Sequence, residues 1–449
     1  MKFGKIGTVG KVALVCVLAL SVATLFTACG TLTVAFLYVA TTSQTPGQIE
    51  VYEINSEAGS LRTIPTSPFP SGGRNPIAEV VSPDYKNLYV ANNDDNNIVQ
   101  FGIGNDGKLY AQSTINTPGT FPLALAVDSL STSSSSGSSS SSIQGYLYVI
   151  DQLQPIAACT QTNPCPGAIA GYAIQSTSSS NDPGALGVGP SGCSATPTSS
   201  QTQCTNGNAI INSSNNGLTY LPLQLSANDT TVLTPTAIAV LPNGNYVYVT
   251  AYNATTSQGY LFTFSIGSDG SLTAVPSGST YSFNSSTVAQ IPASLGKEPS
   301  GLVADSASSY VYVIDKLLNQ VGAYSVQSGG LLTKTSTAAT GSQPSAVALS
   351  STGYVYVTNS QDGTVNGYVS SSGTLSTIGT YAVGTDPVAI MGDPRQLGFL
   401  YTVNFLSNSL SGFQVDPKTG VLVNTQYAPY ASSTQPTAIA GIPHNGSTH

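Results

Sequence analysis

Seven apolar runs of this 449-residue chain open on a proline: Pro76, Pro122, Pro235, Pro299, Pro344, Pro387 and Pro436. The residues just ahead of them are the ones whose types could do chemistry. They are Asn75, Phe121, Thr234, Glu298, Gln343, Asp386 and Gln435, with Arg74 and Lys297 one step earlier. One position of a repeating unit, occupied seven times, can gather these side chains into a ring. Within it, Glu298 or Asp386 is a candidate general acid or base, and Arg74 or Lys297 a candidate partner for a developing oxyanion. Asn75, Gln343 and Gln435 add amides able to hold a small polar or anionic ligand. The same groups also suit a solvated rim that binds without turnover.

A second recurring position holds Asn92, Asp151, Asp315, Asn359 and Asn404, each three residues after the tyrosine of a Tyr-Val step. Asp151 and Asp315 invite an acid/base reading. Recurrence in so many units fits the structural habit of these residues better, since Asn and Asp bond nearby backbone and start turns. The oxygen-rich run from Asn92 to Asn97 lacks the spacing and closing glutamate of a calcium loop, so it reads as a polar turn and no metal site is expected. The two histidines, His444 and His449, lie in the C-terminal tail, and there is no Gly-x-Ser-x-Gly elbow. The usual proton-transfer side chain at neutral pH is therefore missing from the repeated body, and no motif implies a cofactor.

The elements that must position these residues follow from the Tyr-Val steps, at Tyr38, Tyr89, Tyr148, Tyr248, Tyr312, Tyr356 and, with a threonine in place of the valine, Tyr401. Spacing is 44 residues from Tyr312 to Tyr356 and 45 from Tyr356 to Tyr401. Each unit continues with an aromatic in a second apolar run (Tyr52, Phe101, Tyr172, Phe264, Tyr324, Tyr368, Phe413) and a turn glycine opening a third (Gly59, Gly107, Gly217, Gly270, Gly330, Gly373, Gly420). The proline then opens a fourth. Period-two alternation bounded by Gly, Pro, Asn and Ser is the strand signal, and four strands in a unit of this length predict one blade of a β-propeller. Seven units predict an all-β, seven-bladed propeller forming one domain over 29–449. The first Tyr-Val has no proline-led strand before it and Pro436 has no Tyr-Val after it, so Ala438 to Ile442 should complete blade one and close the ring. Each proline begins a strand, where its missing N–H is harmless.

Blade three is stretched by a Ser-rich insertion at about 129–142 and a longer one at about 176–215, ahead of Gly217. In a propeller, loops between second and third strands share a face with the inter-blade connections. Cys159 and Cys165 should lie on that face, and with the segment from Ser277 to Glu298 they should raise a wall beside the ring. Cys193 and Cys204 should lie on the opposite face. These four cysteines allow three pairings. A bridge needs Cα atoms within about 7 Å, which favours the local pairs Cys159 with Cys165 and Cys193 with Cys204.

Lys2, Lys5 and Lys11 precede an apolar stretch from Val12 to Phe26 and then Thr27-Ala28-Cys29-Gly30. A basic head, an apolar core and small residues before a cut make an export signal over 1–28. Cys29 is placed like the lipidated cysteine of bacterial lipoproteins, which implies a cell-envelope protein held at a membrane by its lipid. Charged residues are only 7% of the chain. Without the three signal lysines, nine basic side chains face 20 acidic ones, a formal net charge of −11. Nothing here suits nucleic acid. The expected partners are the membrane, through the lipid, and a small polar ligand or an envelope protein, with the chain itself a monomer.

The unit Pro-x-x-x-Ala-x-Ser-x-x-Gly-x-x-Tyr-Val-x-Asn, seen at Pro344 to Asn359 and with variations at Pro76 to Asn92, resembles the YVTN-repeat and lactonase-type seven-bladed propellers. That group includes bacterial 6-phosphogluconolactonase, and the resemblance spans roughly Thr33 to Pro443. It implies a histidine directly after a blade-opening proline, with arginine and glutamate at the channel mouth. Here the residues after proline are Ile77, Leu123, Thr236, Ser300, Ser345, Val388 and Thr437, none of them histidine, while Arg74 and Glu298 do stand at the mouth. Two readings follow: an envelope scaffold that binds at the propeller face without chemistry, and a lactonase using the Glu298, Asp386, Arg74 and Lys297 set.

The anchor has a direct test. Cys29→Ala should abolish acylation and move the protein from the detergent phase to the aqueous phase in a partitioning assay. A variant that stays in the detergent phase would mean an uncleaved helix holds the chain.

Overall fold

Each Tyr-Val step forms the second strand of a four-stranded antiparallel sheet, and seven such sheets stand around a channel. The structure, a computed structural model, describes residues 33–42, 44–129, 143–176, 183–187, 193–194, 202–203, 209–210, 219–225, 229, 231–275, 280–283, 286–289 and 293–444. Blade six is the regular case: Pro344–Leu349, Val355–Asn359, Thr364–Ser371 and Thr374–Ala382, running from the channel outward. Second strands such as Asn87–Asn92 are buried at every residue because neighbouring blades cover both their faces, which is why they read as unbroken apolar runs. The outermost strands, such as Leu332–Ala339, alternate with solvent.

All seven blade-opening prolines begin or enter the innermost strand, and every one sits beside a β-bulge, between Pro76 and Ala78 in blade two and at the equivalent point elsewhere. The residue after the proline is the extra one, freed from the ladder. In blades one, five and six it carries a hydroxyl that stitches to the next blade: Thr437 Oγ1 donates to Pro76 O (2.7 Å), Ser300 Oγ to Pro344 O (2.7 Å) and Ser345 Oγ to Pro387 O (2.5 Å).

Tyrosine hydroxyls hold the blades to one another further out. Tyr38, Tyr89, Tyr148, Tyr248, Tyr356 and Tyr401 each donate to the carbonyl of the turn glycine in the following blade, namely Gly107, Gly184, Gly270, Gly330, Gly420 and Gly59. The glycine is required. Gly59 has φ 60°, and a Cβ there would lie 2.3 Å from the ring of Phe399. Tyr52, Tyr172 and Tyr368 reach backwards instead, to Ala431 O, Asn116 O and Ala339 O of the preceding blade.

Gly184, not Gly217, is the turn glycine of blade three. It has φ 87° and takes the Tyr89 hydroxyl at 2.6 Å, and Gly184-Ala185-Leu186 restores the Gly-x-Leu pattern in register. Gly217 lies outside the described residues. The long insertion therefore falls later than its sequence position suggested. Leu186 bridges Ile174, Ile210 N donates to Gly171 O, and Leu221–Pro222 pairs with Ala168–Ile169, so the extra chain leaves from within the outer strand, at the perimeter of the blade. The extra chain that carries Cys193 thus departs from the outer edge of the blade. Blade four does the same: Leu272–Ala274 and Ala293–Lys297 both pair with Gln258–Ile266, and the hairpin of Thr280–Phe283 and Ser286–Ala289 lies between them. Of the expected wall, the loop between Leu153 and Ala168 remains at the mouth, closed by the Cys159–Cys165 disulfide. Cys204 and the Ser-rich stretch lie outside the described residues.

The ring closes as the chain ends required. Pro436–Pro443 pairs along Thr33–Thr41, from Ala35 opposite Pro443 to Thr41 opposite Pro436. Two charged side chains pin this seam. Glu50, 8% exposed, accepts from Tyr52 Oη (2.8 Å), Ser432 Oγ (2.6 Å), Ser433 N (3.0 Å) and Ser433 Oγ (2.8 Å), tying blade one to the incoming linker. At the far end Arg395 donates to Val34 O (3.1 Å) and to His444 O, holding both closing strands to blade seven. Glu50→Ala should leave these buried donors unmatched and lower stability by roughly 1–3 kcal/mol in denaturant titration. An unchanged midpoint would show that the linker is held some other way.

Candidate functional site

The chain enters six of its seven blades through a left-handed residue. Asn75, Phe121, Glu298, Gln343, Asp386 and Gln435 have φ between 45° and 60°, six of the seven residues before the opening prolines. Side chains at such positions cost strain that the surroundings must hold. In five blades the holding group is the residue four after the tyrosine. The N–H groups of Thr42, Asn93, Lys316, Ser360 and Phe405 donate to the carbonyls of Gln435, Asn75, Glu298, Gln343 and Asp386. Two rings of side chains therefore share the channel mouth. The second ring, Thr42, Asn93, Gln152, Tyr252, Lys316, Ser360 and Phe405, was not singled out from the sequence. Its signal is there: one position whose chemistry changes in every blade of an otherwise regular repeat.

Beneath the rings lie the repeated Asn and Asp residues, which are structural as expected. Asn92, Asn359 and Asn404 are wholly buried, and each bonds neighbouring strands or loops through its side chain. Asp315 accepts the amides of Lys297 (2.5 Å) and Leu318 (2.9 Å). Asp151 accepts Gly119 N at 2.9 Å, and burial pushes its pKa up to about 7. Glycine two residues before the left-handed residue makes room: a Cβ on Gly73, Gly119, Gly296, Gly341 or Gly384 would meet the Asn or Asp side chain at under 3 Å.

The named candidates do not all meet. Arg74 is bound to Asp95 (2.6 Å) and to Asp94 O (3.1 Å), Asn75 to Asp94 (3.1 Å), so the acidic run forms a rim turn around Arg74. Gln343 and Gln435 are exposed and held through their amides by Asn319 and Asn408 (both 2.8 Å). Lys297 Nζ reaches Thr256 O at 3.3 Å. Glu298 differs. It lines a cavity of about 350 Å³ at blades three to five, with Gln152, Thr234, Thr236, Tyr252, Ser300 and Lys316. Glu298 Oε1 accepts Ser257 Oγ at 2.7 Å. Burial, then the nearby Glu298 carboxylate, raises the Tyr252 pKa and keeps it a hydroxyl donor. The Lys316 ammonium, exposed, takes part in no ion pair among the described residues. It also acts on Asp386, whose pKa is raised by burial and lowered by Lys316. The cavity thus presents a carboxylate, an uncommitted cation, a phenol and an amide, which can orient an anionic or hydroxyl-bearing molecule.

The chain matches the family model "Lactonase, 7-bladed beta-propeller" over residues 33–142 and 279–439, more than half its length. It belongs to that family. Solved structures agree on the fold. A Bacteroides fragilis protein described as a candidate 6-phosphogluconolactonase superposes with a TM-score of 0.63 at 18% identity, covering 92% of this chain and 99% of that one. The periplasmic gluconolactonase of Pseudomonas aeruginosa gives 0.62 at 17%, covering 91% and 99%. A Lactobacillus plantarum protein gives 0.63 at 16%, covering 92% and 100%. No curated protein matches the sequence. Against the family expectation of a histidine after a blade-opening proline, this lactonase-family chain uses that position for the hydroxyl stitches of Ser300, Ser345 and Thr437. His444 packs edge-on against Phe36, next to Arg395 at the far end of the seam.

One further carboxyl stands apart. Glu79, on the inner strand of blade two, has both oxygens buried without a hydrogen-bond partner. Burial pushes its pKa up to about 8, and the amides of Ala40 and Ala440 pull the other way without reaching bonding geometry. A raised carboxyl favours the folded state most below the ordinary value of 4.5, and that advantage is lost as pH rises towards 8. Glu79→Gln should therefore be more stable than wild type at pH 8 by at least about 1 kcal/mol and should flatten the pH dependence across that window. Equal slopes for both proteins in pH-dependent denaturation would contradict the burial.

Proposed function

We propose that this lactonase-family propeller is an exported, lipid-anchored envelope protein that binds a small anionic, hydroxyl-rich ligand of the sugar-acid class at the mouth of its channel. The observation that carries the reading is Lys316, an uncommitted cation facing a cavity with Glu298, Tyr252 and Gln152. A carboxylate or phosphate of the ligand would pair with Lys316, and its hydroxyls would bond Glu298, Tyr252, Thr234 and Gln152. Charge-assisted bonds of this kind are the strong ones. No histidine of the described residues lines the cavity, which supports binding without turnover.

A second reading rests on the same two residues. Glu298 beside Lys316 supplies a general base and an oxyanion partner, and the solved structures alike in fold include a gluconolactonase. In that case Glu298 would take a proton from water attacking the lactone carbonyl, and Lys316 would stabilise the oxyanion.

Calorimetry with gluconate and 6-phosphogluconate, beside a turnover assay on the corresponding lactones, separates the two. Binding should weaken about tenfold in Lys316→Met, the worth of one charge-assisted bond, with lactone turnover no faster than the uncatalysed rate. Turnover that disappears in Glu298→Gln would establish the hydrolase. Sugar-acid binding that survives Lys316→Met would remove the site.

A further inference from the structure

The seam between blades five and six departs from its six counterparts. In the others, the repeat tyrosine spends its hydroxyl on the turn-glycine carbonyl of the next blade. Gly373, the turn glycine of blade six, keeps the expected backbone, with φ 76° and Tyr310 packed against it. Its carbonyl, however, accepts from Thr335 Oγ1 (2.9 Å) and Ser336 Oγ (2.8 Å) of blade five. Tyr312, 3% exposed, is displaced from that bond and faces the Ser370 hydroxyl instead. Two hydroxyls of the outer strand have taken over the lock, and the tyrosine hydroxyl turns to Ser370.

This exchange coincides with an opening. Tyr312 and Ser370 line a cavity of about 820 Å³ among the loops of blades five to seven, on the face away from the mouth. That volume lies in the usual range for small-molecule sites, roughly 300–1,000 Å³. Its chemistry is distinct from the mouth cavity. Among the described residues, no lysine, arginine or histidine lines it. Its two carboxylates are already committed, Asp305 to the amides of Ser309 and Tyr310 and Asp393 to those of Leu397 and Phe399. Beside them stand neutral hydroxyls and the Gln396 amide, with the Tyr310 ring and the apolar side chains of Val303, Ile390 and Met391. An anion finds no cation there, whereas a molecule with one apolar face and a rim of hydroxyls matches both kinds of lining. Pyranose rings have that form.

We propose that this cavity is a second binding site, for a neutral mono- to trisaccharide, with Tyr312 and Ser370 bonding its hydroxyls and Tyr310 packing against a ring face. The site is separate from the mouth and independent of what binds there. A break in one seam of a repeat that is otherwise consistent is where function is expected to override packing.

Saturation-transfer NMR on the full-length protein, with maltotriose, cellotriose and trehalose as neutral probes and gluconate as the acidic control, tests the site. At least one neutral probe should give a signal. Its affinity should fall by at least about fivefold in Tyr312→Phe, the worth of one neutral hydrogen bond, with the thermal midpoint unchanged, and further in Tyr310→Ala. Tyr356→Phe, which loses a glycine lock, should lower the midpoint and leave the affinity alone. Silence from all three neutral probes would overturn the proposal. So would binding indifferent to both Tyr312→Phe and Tyr310→Ala, or gluconate binding that is lost on the same substitutions.

Discussion

The pairing of the last strand with the first is the constraint on which the rest of this structure depends. A propeller blade has no stable core alone, since its second strand must be covered on both faces by neighbours. With the C-terminal strand absent from blade one, Ala35 to Thr41 would present an unpaired edge and the channel wall would be incomplete. The chain is poor in charge, yet two of its charged residues, Glu50 and Arg395, bond at this seam, one at each end. Both act largely on backbone or hydroxyl groups, and the buried Glu50 carboxylate is satisfied there by several short bonds.

Away from that seam the blades are joined mostly by uncharged groups. Tyrosine hydroxyls meet glycine carbonyls, post-proline hydroxyls meet proline carbonyls, and buried Asn and Asp side chains tie each second strand to its surroundings. Individually each such bond is worth about 1 kcal/mol, but repetition around the ring makes the blades one cooperative unit. The same device fixes the mouth. In five blades the left-handed residue before the proline and the residue four after the tyrosine are locked to each other through a backbone bond, so their side chains vary freely without loosening the scaffold. Lys316 is one outcome of that freedom. At the opposite face the freedom arises differently, where Thr335 and Ser336 replace a tyrosine at the lock.

Much of this was legible in the sequence. Tyr-Val steps, strand-opening prolines and the mismatched chain ends gave blade number and closure because burial on both faces demands unbroken apolar second strands. The repeated Asn and Asp read correctly as structural for the same reason, recurrence. Blade three misled at Gly217, because a glycine near the end of a long insertion looks like the turn that was in fact already made at Gly184. The insertions of blades three and four leave from within outer strands, where solvent on one side tolerates a bulge of any length; interval counting alone places them in loops. The pre-proline residues mark one ring in the sequence; the position of Lys316 varies visibly from blade to blade, but that it forms a partner ring follows from the backbone bonds between the two. Arg74 reads as a channel cation in sequence, and only its distance to Asp95 shows that it is already neutralised.

Native-state hydrogen exchange, read at residue level, tests the central claim that the closing strand is integral to the ring. If closure holds the blades as one unit, the paired amides of Pro436–Pro443 and Thr33–Thr41 should exchange only through global unfolding, with the same free energy as the inner pairs of blade six. Exchange from the C-terminal strand at a markedly lower free energy, while blade six stays protected, would contradict it and make the last strand a detachable flap.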